Sequence, residues 1–492
     1  MLSLVRSTKN TFAPVNRIPP DVLVLIPHHC DTYKDSITLT HVCRGWREIL
    51  TCHPPLWTVL DCADINKTRS YLERSKTCPL EISLEEGFLN DAFLLTVPHL
   101  HRLGALTLSW SSDSLFELTK HLGSPAPFLK KLKLVFTNTR NPVIKDAIFN
   151  GDLSSLHELR LSGVIANLAW RNMANLRTFD LRRVPSNNIS VTQLLDFFEC
   201  APLLRKVILR QALPSSSNAP PRRVASLPNL KFLILAAQPA HTILLNHLLI
   251  PAGASVCQEF NFSDSERSPI PSHIPKNLEN FKNLSKIAFV NLHLSPEPSL
   301  RLKGSSGEHY MFGSWVGEGF ARTALDGQVL LSLKLFCIST AEGLMITNWR
   351  DRPSPSQRVN KSSVYLAFLL VENLRTLSLI NCLNLPFLLA LNPEKNPQKA
   401  ILCPKLEELV IHVEIENWFY INEVLEMAKE RASKGIKLET IRIVSSEAFV
   451  PAKEVLKLRN HVSRVEYRLD DVMPRWDETP MDPEDVGYDS DW

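Results

Sequence analysis

The stretch HVCRGWREILTCHPPLW, residues 41–57, sets two histidines, two cysteines, two prolines and two tryptophans close together. His41-x-Cys43 and Cys52-His53 hold the imidazole and thiol donors of a structural zinc site. Such sites present paired ligands in motifs such as C-x2-C, whereas these are adjacent pairs at an awkward spacing, so packing is the simpler role for Cys43. Upstream, His28-His29-Cys30 sets a base beside a thiol, but no recognisable motif places a third, orienting group. His99-x-His101 reads as a solvent-facing turn. The single GxG lies in GSWVGEGFA (313–321), with no following xxG and no GK[ST], so a phosphate-cradling loop has no support. No catalytic residue, metal-ligand set or cofactor is expected, and the chain does not read as an enzyme.

The elements that carry these residues follow from the whole chain. It has 492 residues, of which 44% are hydrophobic, enough to build a core. The formal charge is +4, too mild to argue for nucleic acid or a membrane surface. It hides an asymmetry: residues 477–492 hold seven carboxylates and no Lys or Arg, which leaves +11 on the rest. The start, MLSLVRSTKN, lacks the apolar run of a secretory signal. The most apolar stretch, LKFLILAAQPAHTILLNHLLIPAG, is broken by Pro239, His241, Asn246 and His247, and a membrane span needs ~20 mainly apolar residues. Ten cysteines are spread without a CxxC, as expected of reduced, mostly buried thiols in an intracellular protein, cytoplasmic or nuclear.

An L-x-x-L-x-L pattern recurs through the chain, beginning at residues 103, 129, 156, 176, 204, 230, 257, 284, 374, 406 and 438. The intervals are 26, 27, 20, 28, 26, 27 and 27, then 90, 32 and 32, and LLSLKL (330–335) offers one more unit inside the gap. Each unit predicts a short strand with alternate side chains inward. One unit cannot bury its apolar face alone, so neighbours must stack into a parallel sheet. Between strands, TQLLDFFECAP and INEVLEMAKERASKG read as helices. In the latter Ile421, Val424, Leu425 and Ala428 form the inward stripe, and Gly435 marks the stop. Helix alternating with strand at this period fits a leucine-rich-repeat-like horseshoe, without the asparagine ladder of regular repeats. The third and fifth positions face outward from the core. They supply a candidate binding face of Lys131, Lys133, Arg160, Lys206, Ile208, Phe232 and Ile234, with Glu158, Thr178 and Asp180 among them. Phe232 and Ile234 read either as an exposed partner patch or as residues covered by a neighbouring loop.

Ahead of the first repeat, Pro19-Pro20-Asp21 makes a helix start. Val22, Leu23 and Ile26 follow, and Pro27 ends or kinks that helix. A second helical stretch from about Ser36 carries Leu39, Val42, Cys43, Trp46, Ile49 and Leu50, and His53-Pro54-Pro55 stops it. At Ile18-Pro19-Pro20, Val22–Ile26, the block Val42-Cys43-Arg44-x-Trp46-Arg47 and Leu56-Trp57, the chain resembles the F-box family. It is most similar to F-box proteins with degenerate leucine-rich repeats, of the type abundant in mushroom-forming fungi, which also carry a segment like YLERSKTCPLEISL (71–84). It departs at Pro27 and His28-His29, where F-boxes commonly continue the helix with a large apolar residue.

The resemblance implies a substrate-recognition subunit of a cullin-based ubiquitin ligase. Its F-box would dock a Skp-family adaptor, and through it the cullin. Its repeats would hold a protein substrate, supplying proximity rather than chemistry. The adaptor-binding residues so implied are Ile18, Pro19, Pro20, Val22, Leu23, Ile26, Leu39, Val42, Trp46, Leu56 and Trp57. The expected fold is α/β: a short helical F-box, then an irregular leucine-rich-repeat-like solenoid with a parallel sheet on its concave face. The expected boundaries are a flexible leader (1–14), the F-box-like segment (15–62), a connecting segment and cap (63–102), the repeats (103–472) with an irregular insertion about 290–362, and an acidic disordered tail (473–492). No nucleic-acid or membrane partner is expected. A repeat scaffold without a ligase role is the alternative, and a basic body binding RNA is a third reading that lacks the motifs of known modules.

Overall fold

The computed structural model describes residues 14–29, 33–84, 90–111, 120–137, 143–144, 148–166, 172–215, 223–236, 240–260, 277–294, 300–306, 309–316, 340–347, 361–380, 384–413, 421–445 and 452–469. The expected leader up to residue 13, the acidic tail, His28 as a side chain, Cys30 and LLSLKL (330–335) lie outside these residues. The chain mixes helices with sheets rich in parallel pairs, and divides into two compact units, Met1–Ala212 and Leu213–Trp492.

The first unit opens on helices α1 (Pro20–Leu23), α2 (Tyr33–Thr40) and α3 (Arg44–Thr51). Strand β1 (Val59–Leu60), α4 (Ile65–Arg74), β2 (Leu80–Leu84) and α5 (Asp91–Leu94) follow. Next come β3 (Leu103–Trp110), β4 (Lys131–Phe136), β5 (Val143–Ile144), β6 (Glu158–Ser162), β7 (Ile165–Ala166), β8 (Thr178–Ser190), α6 (Val191–Cys200) and β9 (Lys206–Ser215). The strands β1, β2, β3, β4, β6 and β8 pair in that order, every pair parallel, while β5 pairs with β7 apart. The third position of each sequence repeat falls in one register, Glu81 beside Ala105, Lys131, Glu158 and Thr178. The joints repeat as well. The Lys130 carbonyl accepts from the amides of both His157 (2.8 Å) and Glu158 (2.9 Å), as His157 does from Arg177 and Thr178. The first, fourth and sixth positions, such as Leu129, Leu132 and Leu134, are buried, each contributing about 1.5–3 kcal/mol of apolar burial.

The sheet thus begins earlier than the repeat pattern marks. β1 lies in the F-box-like helical segment (15–62), and β2 in the connecting segment and cap (63–102). At the end of β6 the chain turns through Gly163, whose φ is +65° and where a Cβ would stand 2.3 Å from the Phe136 carbonyl oxygen. Gly163→Ala is expected to cost about 2–3 kcal/mol from left-handed backbone plus overpacking, read as a lower urea midpoint at unchanged slope.

The second unit comprises β10 (Ala225–Ser226), β11 (Phe232–Ala236), α7 (Ala240–Leu245), β12 (Leu248–Leu249), β13 (Ser255–Phe260), β14 (Phe289–Leu294), β15 (Leu300–Ser306), β16 (His309–Val316) and β17 (Gly343–Thr347). It continues with α8 (Lys361–Leu369), β18 (Thr376–Ile380), α9 (Asn384–Leu391), β19 (Glu408–Val413), α10 (Ile421–Ser433), β20 (Thr440–Ser445), α11 (Ala452–Leu458) and β21 (Arg464–Leu469). From β14 through β17, β18, β19, β20 and β21 the pairs are parallel. Between β13 and β14 sits an antiparallel hairpin, β15–β16, which pairs parallel to β13 on one side and antiparallel to β14 on the other.

Two expected frames are corrected here, and one repeat that the pattern did not mark is added. Register sets Ser255 and Val256 beside Phe232 and Leu233, so the frame at 257 starts four residues late, and Cys257 shares the face of Ile234. Phe289 pairs with Gly343 as a third position, so the frame at 284 starts three residues early. Among the described residues of the gap, AEGLMI (341–346) forms a repeat, with Ala341, Leu344 and Ile346 buried. Alanine at its first position hid it from a leucine pattern. In α10, Met427 and Arg431 join Ile421, Val424 and Ala428 in the core, while Leu425 is half-buried; Gly435 follows at φ +79°.

Among the described residues, no helix is long and apolar enough to cross a membrane.

Candidate functional site

The first candidate surface lies on the helices of residues 14–57. Pro19 caps α1 and Pro20 takes its first position, where no backbone donor is needed. Pro27 has no N–H to continue the ladder; the helix ends at Leu23 and a 3-10 turn, Ile26–His29, follows. The single helix expected beyond Ser36 is two, α2 and α3. They break at residues 41–43, where Cys43 turns extended and its Sγ accepts from the Trp46 amide at 3.5 Å. Arg47 Nε donates to the Thr40 carbonyl across the break at 3.0 Å. Cys43 is therefore a helix cap.

Leu23, Trp46 and Leu50 form the core of these helices, with Ile18, Val24, Ile26, Leu39, Cys43, Ile49 and Leu56 half-buried against it. Trp57 is fully buried. Its Nε1 donates to the Leu50 carbonyl at 3.0 Å, and its ring meets Tyr71 edge-on at 5.0 Å. The Arg74 guanidinium lies 4.5 Å above that ring, so Trp57 fastens the helices to α4. The expected adaptor-binding residues thus divide. Leu23, Trp46 and Trp57 are interior supports, and Ile18, Ile26, Leu39 and Leu56 are half-buried. Pro19, Pro20, Val22 (47% exposed) and Val42 reach solvent. Val22 does not share Leu23's side of α1. Leu25, 54% exposed, joins the outer set; it was missed because its position next to Val24 carried no periodic signal.

The second candidate surface is the sheet face made by the third and fifth repeat positions. In the first unit it holds a groove of about 300 Å³, lined by Glu81, Ser83, Ala105, Thr107, Lys131, Lys133 and Glu158 among others. Lys131 is exposed and Lys133 half-buried. Arg160 reaches the buried Asp180 at 3.4 Å, and Arg182 reaches it at 2.8 Å. Lys206 is half-buried. Ile208 and Ile234 are not an exposed patch: they are 2% and 3% exposed, and Phe232 is half-buried. Period-two reading assigns a side of the sheet and cannot say whether that side is covered; Cys257, the register neighbour of Ile234, is buried with it. In the second unit Arg442 bridges Glu408 (3.0 Å) and Glu466 (2.9 Å) across three strands, and Arg464 joins Glu466 at 2.6 Å. These two arginines, with Arg468 at 3.6 Å, hold the Glu466 carboxyl below its ordinary range, chiefly through the Arg442 hydrogen bond.

The histidines and cysteines have other places. His101 is exposed and His99 half-buried, its pKa lowered by burial and then by Arg102. No disulfide joins the described cysteines. Cys62, Cys257 and Cys403 are buried, Cys43, Cys78 and Cys200 are half-buried, and Cys52 is exposed. Burial pushes the thiols of Cys62 and Cys403 to about 12, so neither forms a thiolate near neutral pH. No cluster of three or more His, Cys, Asp or Glu suited to a metal occurs among the described residues.

Sequence reasoning also missed two buried arginines. Arg102 donates to Ser75 Oγ (3.0 Å) and to the carbonyls of Cys78 (3.0 Å) and Leu72 (3.3 Å). Arg431 donates to the carbonyls of Leu402 and Cys403, both at 2.9 Å. Each clips a loop that contains a non-glycine residue at positive φ, Lys76 (50°) in the first and Cys403 (47°) in the second.

No protein-family model matches this chain, and no curated protein matches it.

Proposed function

We propose that this chain is the substrate receptor of a cullin-based ubiquitin ligase, an F-box protein with leucine-rich-repeat-like units. The observation that carries the reading is the state of α1. Its one turn is seated on the Leu23–Trp46–Leu50 core, yet Pro19, Pro20, Val22 and Leu25 are left in solvent. An apolar outer edge on so short a helix is what a partner helix would cover. Behind it stands a sheet of in-register parallel repeats, the kind of rigid surface that holds a second protein. The receptor would supply proximity between that protein and the conjugating enzyme, and no bond-making of its own.

The test is co-purification of the whole chain with a Skp-family adaptor, then the double change Pro20→Ala with Val22→Ala. Both side chains are exposed, so helicity should be retained while adaptor affinity falls by about 2 kcal/mol, roughly thirtyfold. Binding at wild-type affinity by the folded double variant, or no binding by the wild type, ends this reading and leaves the repeat scaffold in its place.

A further inference from the structure

We propose that the sheet face of the first unit binds an acidic segment of a partner protein, through a row of donors formed by Ser83, Thr107, Lys133 and Arg160. It rests on the receptor reading above for the partner being a captured protein, and it adds the chemistry of the captured segment.

Parallel register places these four side by side on β2, β3, β4 and β6, so the row runs across the strands. Three of them are half-buried hydroxyl or ammonium donors on the lining of the 300 Å³ groove, where Ala105 leaves room. Among the described residues, the hydroxyls of Ser83 and Thr107 have no hydrogen-bond partner, and Lys133 has no ion pair. Lys133 and Arg160 stand opposite each other on neighbouring strands, a like-charge pair that disfavours the empty face. The carboxylate next along the row, Asp180, is already shared by Arg160 and Arg182. Ser83, Thr107 and Lys133, the members of the row without a partner among the described residues, are completed by carboxylates arriving from outside.

The adjoining row sets a limit. Glu81, Lys131 and Glu158 lie two residues nearer the strand starts, and both glutamates are exposed. They repel an anion there, so an acidic segment is confined to the Ser83–Arg160 row. Strands stand about 4.8 Å apart, so a segment crossing them perpendicular to their length meets a new donor about every 1.5 residues. That spacing suits a run of Asp or Glu rather than one isolated carboxylate.

The experiment measures binding of a fluorescein-labelled oligoglutamate peptide to the whole chain by anisotropy at low salt. Wild type is expected to bind. Lys133→Met keeps the buried stem and removes the charge, and is expected to weaken binding about tenfold. Thr107→Val, nearly isosteric, is expected to weaken it by a smaller factor. Lys399→Ala, on an exposed lysine of the second unit, is expected to change nothing. Melting temperatures of all variants are recorded, and full binding by a folded Lys133→Met protein overturns the proposal. So does equal weakening by Lys399→Ala, or displacement of the peptide by an equal concentration of oligouridylate, which would make the face a general polyanion surface. Adaptor binding is measured on the same samples. Adaptor binding with no peptide binding overturns this proposal alone, and peptide binding with no adaptor binding overturns the receptor reading while the donor row stands.

Discussion

Arg431→Ala is expected to lower stability by about 3–5 kcal/mol, the range for removing a large buried side chain and leaving buried acceptors unpaired. The side chain is fully buried on α10, among the described residues it has no carboxylate partner, and burial lowers its pKa from the ordinary arginine value. Its charge is met by the carbonyl dipoles of Leu402 and Cys403. Those carbonyls belong to a loop that adopts positive φ at both Lys399 (49°) and Cys403 (47°), conformations disfavoured for residues with a Cβ. Asn396 holds the same loop, donating to the carbonyls of Asn392 and Ala400 and accepting from the Ala400 amide. Alanine at 431 would leave a cavity and two orphaned carbonyls. Methionine would fill the space and leave only the carbonyls, at about 2 kcal/mol or more. Urea unfolding of the three proteins therefore should rank wild type above Arg431→Met above Arg431→Ala. A methionine variant as stable as wild type would show that the clip merely replaces what an apolar stem supplies.

The two buried arginines mark where sequence reading runs out. Helical spacing carries the Val424–Ala428 stripe on to Arg431, but a charged residue type in the last turn reads as solvated, as its exposed neighbours Lys429 and Lys434 are. Its partners are carbonyls some thirty residues earlier, which carry no side-chain signal at all. By contrast, the strand frames at 129, 156, 176, 374, 406 and 438 were legible, because three buried leucine-like positions in six residues leave one possible register. Where apolar signal thins, the frame slips: by register the first and sixth positions of β13's repeat are the exposed Gly253 and the buried Gln258, so the apolar pattern moves to Cys257 and Phe260 instead. The outer faces were the least legible. Lys133 and Ile208 both occupy outward positions, yet one borders an open groove and the other is closed off. In the helices of residues 14–57 the types of contact were readable and their sides were not, since α1 is a single turn and a turn has too few residues to show a period.

Trp57→Ala is expected to destabilise the helices of residues 14–57 by about 3–5 kcal/mol. It removes the ring that Tyr71 meets edge-on, the face under Arg74 and the donor to the Leu50 carbonyl at the end of α3. A helical segment this small has little core of its own, so losing its anchor to α4 should open it locally while the parallel sheet stays folded. Hydrogen exchange should show fast amides over α1 and α3 and unchanged protection in β3, β4 and β6. Trp57→Phe separates the contributions: it keeps a ring against Tyr71 and loses the indole N–H, at about 1–3 kcal/mol for an unpaired carbonyl. Under the receptor reading, adaptor binding should vanish with alanine and persist with phenylalanine, because Trp57 is interior and acts by holding Pro20, Val22 and Leu25 in place. If phenylalanine abolishes adaptor binding while α1 and α3 remain protected from exchange, Trp57 touches the adaptor itself. The head must then rearrange on binding rather than present a preformed edge.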